Sequence, residues 1–206
     1  DLSSVVELEG VSAPVFASAI LARSLAFNKL GAFKKQIADC DILITLDGVA
    51  EEQVMYMLFW KALAYLELGD KKQAIVELSE LITRNGVPVA LAAKAYLLRS
   101  IAFDDIGDSE HAIFDYEVVT SLDGAPVNEV TTAFFMLGTR YLKQNETKRA
   151  EKSFNSVLHL EGASVKLRLA SEIILAQMYA SDGRWEGALS KLSTALKECE
   201  RSGGHG

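Results

Sequence analysis

Residues 56–82, YMLFWKALAYLELGDKKQAIVELSELI, read as two short helices joined by a tight turn at Gly69-Asp70. Leu58, Ala62 and Tyr65 share one face of the first helix, and Ala74, Leu78, Leu81 and Ile82 share one face of the second, at the three-and-four spacing of amphipathic helices. Neither helix can bury its stripe alone, so the pair needs neighbours of the same kind. The chain supplies them: the turn recurs at Gly31, Gly69, Gly107, Asn145 and Gly183, a period of 38 residues without a break. A period of that length marks a stack of helical hairpins, an all-α solenoid whose units contact mainly their neighbours.

A second glycine column, Gly10, Gly48, Gly86, Gly124 and Gly162, stands where each second helix should stop. Glycine there accepts the left-handed backbone that closes a helix C-terminus. Pro14, Pro88 and Pro126 follow near the start of the next helix, where a missing amide costs little. These marks place first helices at about 14–30, 52–68, 89–106, 127–144 and 165–182, and second helices at about 33–47, 71–85, 109–123, 147–161 and 185–199. The organisation expected is five repeats at about 11–48, 49–86, 87–124, 125–162 and 163–199. Residues 1–10 match the end of a preceding repeat's second helix, so one or more further repeats are expected upstream. Residues 200–206 are expected to form a flexible tail. Leu189, Leu192, Ala195 and Leu196 have no polar capping helix after them, so more chain or another subunit is expected to pack there.

Packing columns agree from repeat to repeat. Phe27, Tyr65, Phe103, Tyr141 and Tyr179 form an aromatic column. Ser24, Ala62, Ser100, Gly138 and Ala176 form a small one, expected to face Ala74, Ala112, Ala150 and Ala188, with Gln36 breaking that set. Small against bulky at constant spacing is what close helix pairing requires. Cys40 falls in the column of Leu78, Tyr116, Phe154 and Leu192 and reads as a core thiol.

The small residue and aromatic three apart (Ala62, Tyr65), the Leu68-Gly69-Asp70 turn, and Ala74-Ile75 with Leu78 resemble the tetratricopeptide repeat family, and they recur over essentially the whole chain. The resemblance implies a right-handed superhelix, with first helices lining a concave groove and second helices forming the convex back. Two features depart from the family. The period exceeds the usual one of about 34, the extra residues falling in a longer loop and an added turn on each first helix, and glycine replaces the common helix-ending proline.

The resemblance directs attention to the inner face of the first helices. There lie Leu21 and Leu25, Phe59 and Leu63, Leu97 and Ile101, Phe135 and Thr139, and Ile173, with Trp60 beside them and Asp104 on a polar rim that also holds Asn28, Lys29, Glu67, Asp105 and Lys143. An apolar trough of this kind suits an amphipathic helix or semi-extended apolar peptide of a partner protein. Two other readings stay open: burial of these side chains within the array, and coverage by copies or flanking repeats in a structural self-assembly module. The ring of Lys, Arg and Asn with which some family members hold a terminal carboxylate is replaced here by Leu, Ile, Phe, Trp and Met. Arg23, Lys61 and Arg99 share one column that becomes Leu137 and Leu175. They read as a structural ladder with acidic neighbours, with an anion-binding row as the alternative.

For chemistry the chain is nearly silent. His111, His159 and His205 lie on different repeats or the tail, without ligand spacing to Cys or carboxylates, and no nucleophile elbow, HExxH or phosphate loop occurs. No enzyme activity, metal or cofactor is expected. The net charge of -7 and pI near 5.1 oppose nucleic-acid binding and anionic membranes. No apolar run reaches the roughly 18 residues of a membrane span, and the uncharged stretch 11–22 lacks the basic leader of a secretory core. Two cysteines make no disulfide framework, which leaves the cytoplasm as the default compartment, with a periplasmic or secreted setting still open.

Overall fold

The computed structural model describes residues 13–203, with side chains over 15–200; the partial repeat expected at 1–10 and residues 204–206 of the expected tail lie outside the described residues. Ten helices and no strand occur among the described residues: α1 (Ala13–Lys29), α2 (Phe33–Thr45), α3 (Glu51–Glu67), α4 (Lys71–Thr83), α5 (Val89–Asp105), α6 (Ser109–Ser121), α7 (Val127–Lys143), α8 (Thr147–His159), α9 (Val165–Ser181) and α10 (Trp185–Gly203). The expected boundaries hold to within two residues except at the end. Glu200 stands where a glycine stop is due, and without that left-handed residue α10 runs on to Gly203.

Each punctuating position does what its chemistry requires. Eight glycines of the two columns have φ between 67° and 85°, and Asn145, standing in the turn column, has φ 60°. In the turn after α3, the amides of Gly69 and Asp70 donate to Leu66 O and Tyr65 O at 3.0 and 2.9 Å, closing the last helical carbonyls. The Asp70 carboxylate then accepts from Gln73 N at 3.2 Å and caps α4. Asp108 does the same for His111 N at the start of α6.

The chain forms two compact units, residues 1–112 and 113–206. In unit 1 each helix packs on the next, α1 on α2 through α4 on α5. Ala17 and Ile20 of α1 join Cys40 and Leu43 of α2 against Met57 of α3. The opposite side of α3, with Val54, Met55, Leu58 and Ala62, meets Leu78 and Leu81 of α4 and Leu91 and Ala95 of α5. Cys40 is fully buried, and burial pushes its thiol up to about 11. In unit 2, α7 packs on α8, α8 on α9 and α9 on α10.

Size is compensated between paired helices. Ser24 Oγ lies 3.7 Å from Cys40 Sγ, Ala62 and Leu78 share one core cluster, and a Cβ on Gly138 would come within 2.7 Å of the Phe154 ring. The bulkiest of these second-helix residues is thus matched by the residue with no side chain. Gln36, the break in the alanine column, is buried and accepts a hydrogen bond from Asn28 Nδ2 at 3.1 Å. Asn28 therefore serves the first hairpin's packing as well as standing at the rim.

Candidate partner-binding faces

In unit 1 the candidate face is carried by α1, α3 and α5. Their 17-residue length presents two apolar side chains one turn apart on each helix beyond those spent on the core. Leu25 is 43% exposed; Leu21, Phe59, Trp60, Leu63, Leu97 and Ile101 are half-buried. Leu21 and Trp60 rest on the α1–α2–α3 core and Phe59 on the α3–α4–α5 core, so these side chains are held by packing while showing part of their surface. Asp104 is half-buried, and Asp105 at the end of α5 is paired with Lys71 Nζ at the start of α4 at 2.9 Å.

Between α1 and α3 this face opens into an apolar cleft with about 80 Å³ of free space, bounded by Ala17, Leu21, Leu43, Tyr56, Met57 and Trp60. Leu21 and Trp60 were identifiable from the inner-face pattern. Ala17, Tyr56 and Met57 were not: amphipathic spacing assigns Met57 to the core and gives no measure of the void left beside a small Ala17.

In unit 2, Phe135 is half-buried and meets Phe154 edge-on, ring centroids 5.7 Å apart. Thr139 turns its hydroxyl back onto Met136 O at 2.7 Å, and Ile173 is 44% exposed. This face is shallower in apolar side chains than that of unit 1, because Thr139 stands where Leu25, Leu63 and Ile101 stand.

The basic column is tied to the second helices, twice through mostly buried ion pairs. Arg23 donates to both carboxylate oxygens of Asp39, at 2.6 and 3.0 Å, and Asp39 is 2% exposed. Lys61 Nζ lies 2.7 Å from Asp41 and 2.8 Å from Glu77, bridging α2 and α4. Burial pulls the Lys61 ammonium down, but the hydrogen bonds and charges of Asp41 and Glu77 outweigh it and hold the group above the ordinary lysine range. Arg99 Nη1 donates to Ser79 Oγ at 2.8 Å. These heads join second helices and are not displayed as a row for anions.

Where the column becomes leucine, unit 2 uses a different clamp. Tyr141 OH donates to Glu117 at 2.6 Å while Arg149 stacks 4.0 Å above the Tyr141 ring and reaches Glu117 at 3.0 Å. Tyr179, Arg184 and Glu151 repeat the arrangement: the hydroxyl bond is 2.9 Å, the guanidinium contacts 3.1 Å, and the stack 4.0 Å. Gly187 stands in Arg149's column, where a Cβ would meet the Tyr179 ring at 2.8 Å, so the cation arrives from Arg184 instead.

Glu172 of α9 occupies the column of Ile20 and Leu58, is 6% exposed, and keeps Oε2 without a hydrogen-bond partner among the described residues. Burial raises its pKa above the ordinary 4.5, with Glu198 adding to the rise and Lys191 and Arg168 opposing it. The native state therefore holds this proton more tightly than the unfolded chain, so its contribution to stability is full below 4.5 and is lost as pH climbs through the folded value. Glu172→Leu, which restores the column, is expected to raise stability at pH 7 by about 1–2 kcal/mol and to flatten the decline above 4.5. Urea melts from pH 4 to 8 check this, and an unchanged pH profile would contradict it.

No group of three or more His, Cys, Asp or Glu is placed to hold a metal ion among the described residues. His111 is exposed, bonds Asp108 at 2.8 Å and stacks on Phe103, and His159 bonds the Asn155 carbonyl of its own helix. No described helix is long and apolar enough to cross a membrane.

Two stretches, residues 56–85 and 135–202, match the tetratricopeptide repeat family. Among curated proteins no match was found. Among solved structures, BtubC (BKLC) from P. vanneervenii is 17% identical, with all of this chain and 88% of its own covered at a TM-score of 0.72. A MamA structure is also 17% identical, covering 88% of this chain and 97% of its own at 0.70. A tetratricopeptide repeat protein from Parabacteroides merdae ATCC 43184 is 16% identical, covering 90% and 78% at 0.64. At these identities the likeness shows the fold, an all-α solenoid of helical hairpins.

Proposed function

From the premise that this chain belongs to the tetratricopeptide repeat family, we propose that it is a non-catalytic cytoplasmic scaffold that captures an apolar helix or peptide of a partner protein on the inner face of its first helices. The observation that carries the reading is the row of Leu21, Leu25, Phe59, Trp60, Leu63, Leu97 and Ile101 in unit 1, all left partly uncovered, with Leu21, Phe59 and Trp60 held against the core. Phe135, Thr139 and Ile173 supply the corresponding positions in unit 2, and Asp104 lies at the rim. Desolvating a large apolar side chain contributes about 1.5–3 kcal/mol before ordering costs. Two or three such anchors therefore suffice for a useful affinity.

Leu25→Asp with Leu63→Asp alters the exposed part of this face and spares the Phe59 side chain, which packs on the core. The double variant is expected to keep its helicity and to weaken binding of an isolated partner peptide at least a hundredfold in calorimetric titration. Unchanged affinity would remove the groove from the account.

A second reading, assembly through copies or flanking repeats, draws on α10. Trp185, Leu189 and Leu196 are each about two-thirds exposed along one stripe, and Leu196 stands in the column of Ile44, which in unit 1 packs against both core clusters around α3. Sedimentation at several concentrations separates the readings: mass that rises with concentration, and falls back in Leu189→Glu with Leu196→Glu, belongs to assembly alone.

A further inference from the structure

We infer that the cleft between α1 and α3 is an anchor pocket that selects one branched or linear aliphatic side chain, of leucine, isoleucine or methionine size, from a partner segment flanked by lysine or arginine. The inference rests on the groove reading and adds what that groove recognises. The free space of about 80 Å³ is roughly half of the 150 Å³ or so that holds a benzene ring in an engineered apolar cavity. The smaller space favours a compact, flexible aliphatic side chain over a rigid ring. The bottom of the cleft is fully apolar, with Leu43 and Met57 buried beneath it, whereas Tyr56, 39% exposed, and half-buried Trp60 stand at its mouth. Gln53 lines the same cleft with an exposed amide, able to bond the backbone of a bound segment.

Charge specifies the flanks. Ten of the 21 basic residues but sixteen of the 28 acidic ones lie within residues 1–112, so this unit carries -6 of the net -7. Glu52 is exposed beside Gln53 and one turn before Tyr56, both of which line the cleft. The two cations of α1 and α3 nearest in sequence, Arg23 and Lys61, are consumed by Asp39, Asp41 and Glu77. A basic segment is attracted by Glu52 and by the net negative charge of this unit, and an acidic one is repelled.

The test uses blocked lysine–alanine peptides carrying Leu, Phe or Gly at one central position, read by Trp60 fluorescence in the full chain with Trp185→Phe. The Leu peptide is expected to bind at least tenfold tighter than the Phe and Gly peptides, and to lose tenfold when its lysines are replaced by glutamate. Ala17→Leu, which fills the space from within, should abolish that preference without lowering the melting temperature. Leu21→Ala, which enlarges it, should turn the preference toward Phe. Equal binding of Leu and Phe peptides, or a Leu preference that survives Ala17→Leu, would overturn the pocket. If all peptides bind alike and all are lost in the Leu25→Asp, Leu63→Asp variant, the groove stands and the pocket falls. If Ala17→Leu abolishes binding while the aspartate variant does not, the pocket stands and the wider groove falls.

Discussion

Replacing Arg23 by methionine is expected to cost about 3–5 kcal/mol of folding stability, the range for removing one partner of a buried ion pair. Methionine keeps the apolar stem but strands the Asp39 carboxylate, which is 2% exposed and accepts from Arg23 through both of its oxygens. The chain itself shows the remedy. In unit 2 the same two columns hold Leu137 and Ser153, both buried, so Arg23→Leu combined with Asp39→Ser should recover most of the loss. Urea midpoints of Arg23→Leu, of Asp39→Ser and of the double variant give the coupling energy. A double variant no more stable than Arg23→Met would mean that the ladder is not a self-contained pair.

The second large effect lies at Gly138. A Cβ there would sit 2.7 Å from Phe154 Cε1 and Cζ, and the ring is fully buried and braced edge-on against Phe135. Alanine offsets part of this clash through its better helix propensity, by about 1 kcal/mol. Valine adds two branches and loses that offset, so Gly138→Val should cost about 3 kcal/mol. Phe154→Leu reproduces the Leu78 of the second hairpin and should restore much of the stability when combined with Gly138→Val, although alone it removes buried volume. Additive losses in the cycle would contradict direct contact between the two positions.

What the sequence made legible follows from how few residues each position tolerates. The left-handed corners accept glycine and little else, so their spacing gave the helix boundaries, and Asn145 is the one other residue among the described corners. The stop after α10 was misplaced for the same reason in reverse: with no glycine at 200, the helix continued. The ladder was visible as a column, and its partners stood sixteen residues on at Asp39 and Glu77, a constant offset that would have identified the pairs. Contacts between side chains at helix ends left no periodic trace, so Asn28 and Asp105 read as a rim although Asn28 bonds Gln36 across a turn and Asp105 pairs with Lys71 at the start of α4. The anchor cleft was illegible because it depends on the gap between two helices, which spacing along one helix does not encode.

If the first-helix face of unit 1 holds the partner, side chains on that face lie within reach of it in the complex. Photo-crosslinking tests it directly, with a benzophenone side chain placed either at Leu25 or at Val76, which is 56% exposed on α4, in otherwise unaltered protein bound to its isolated partner. Efficient crosslinking is expected from position 25 and background levels from position 76; equal yields, or a higher yield from 76, would rule out a first-helix site.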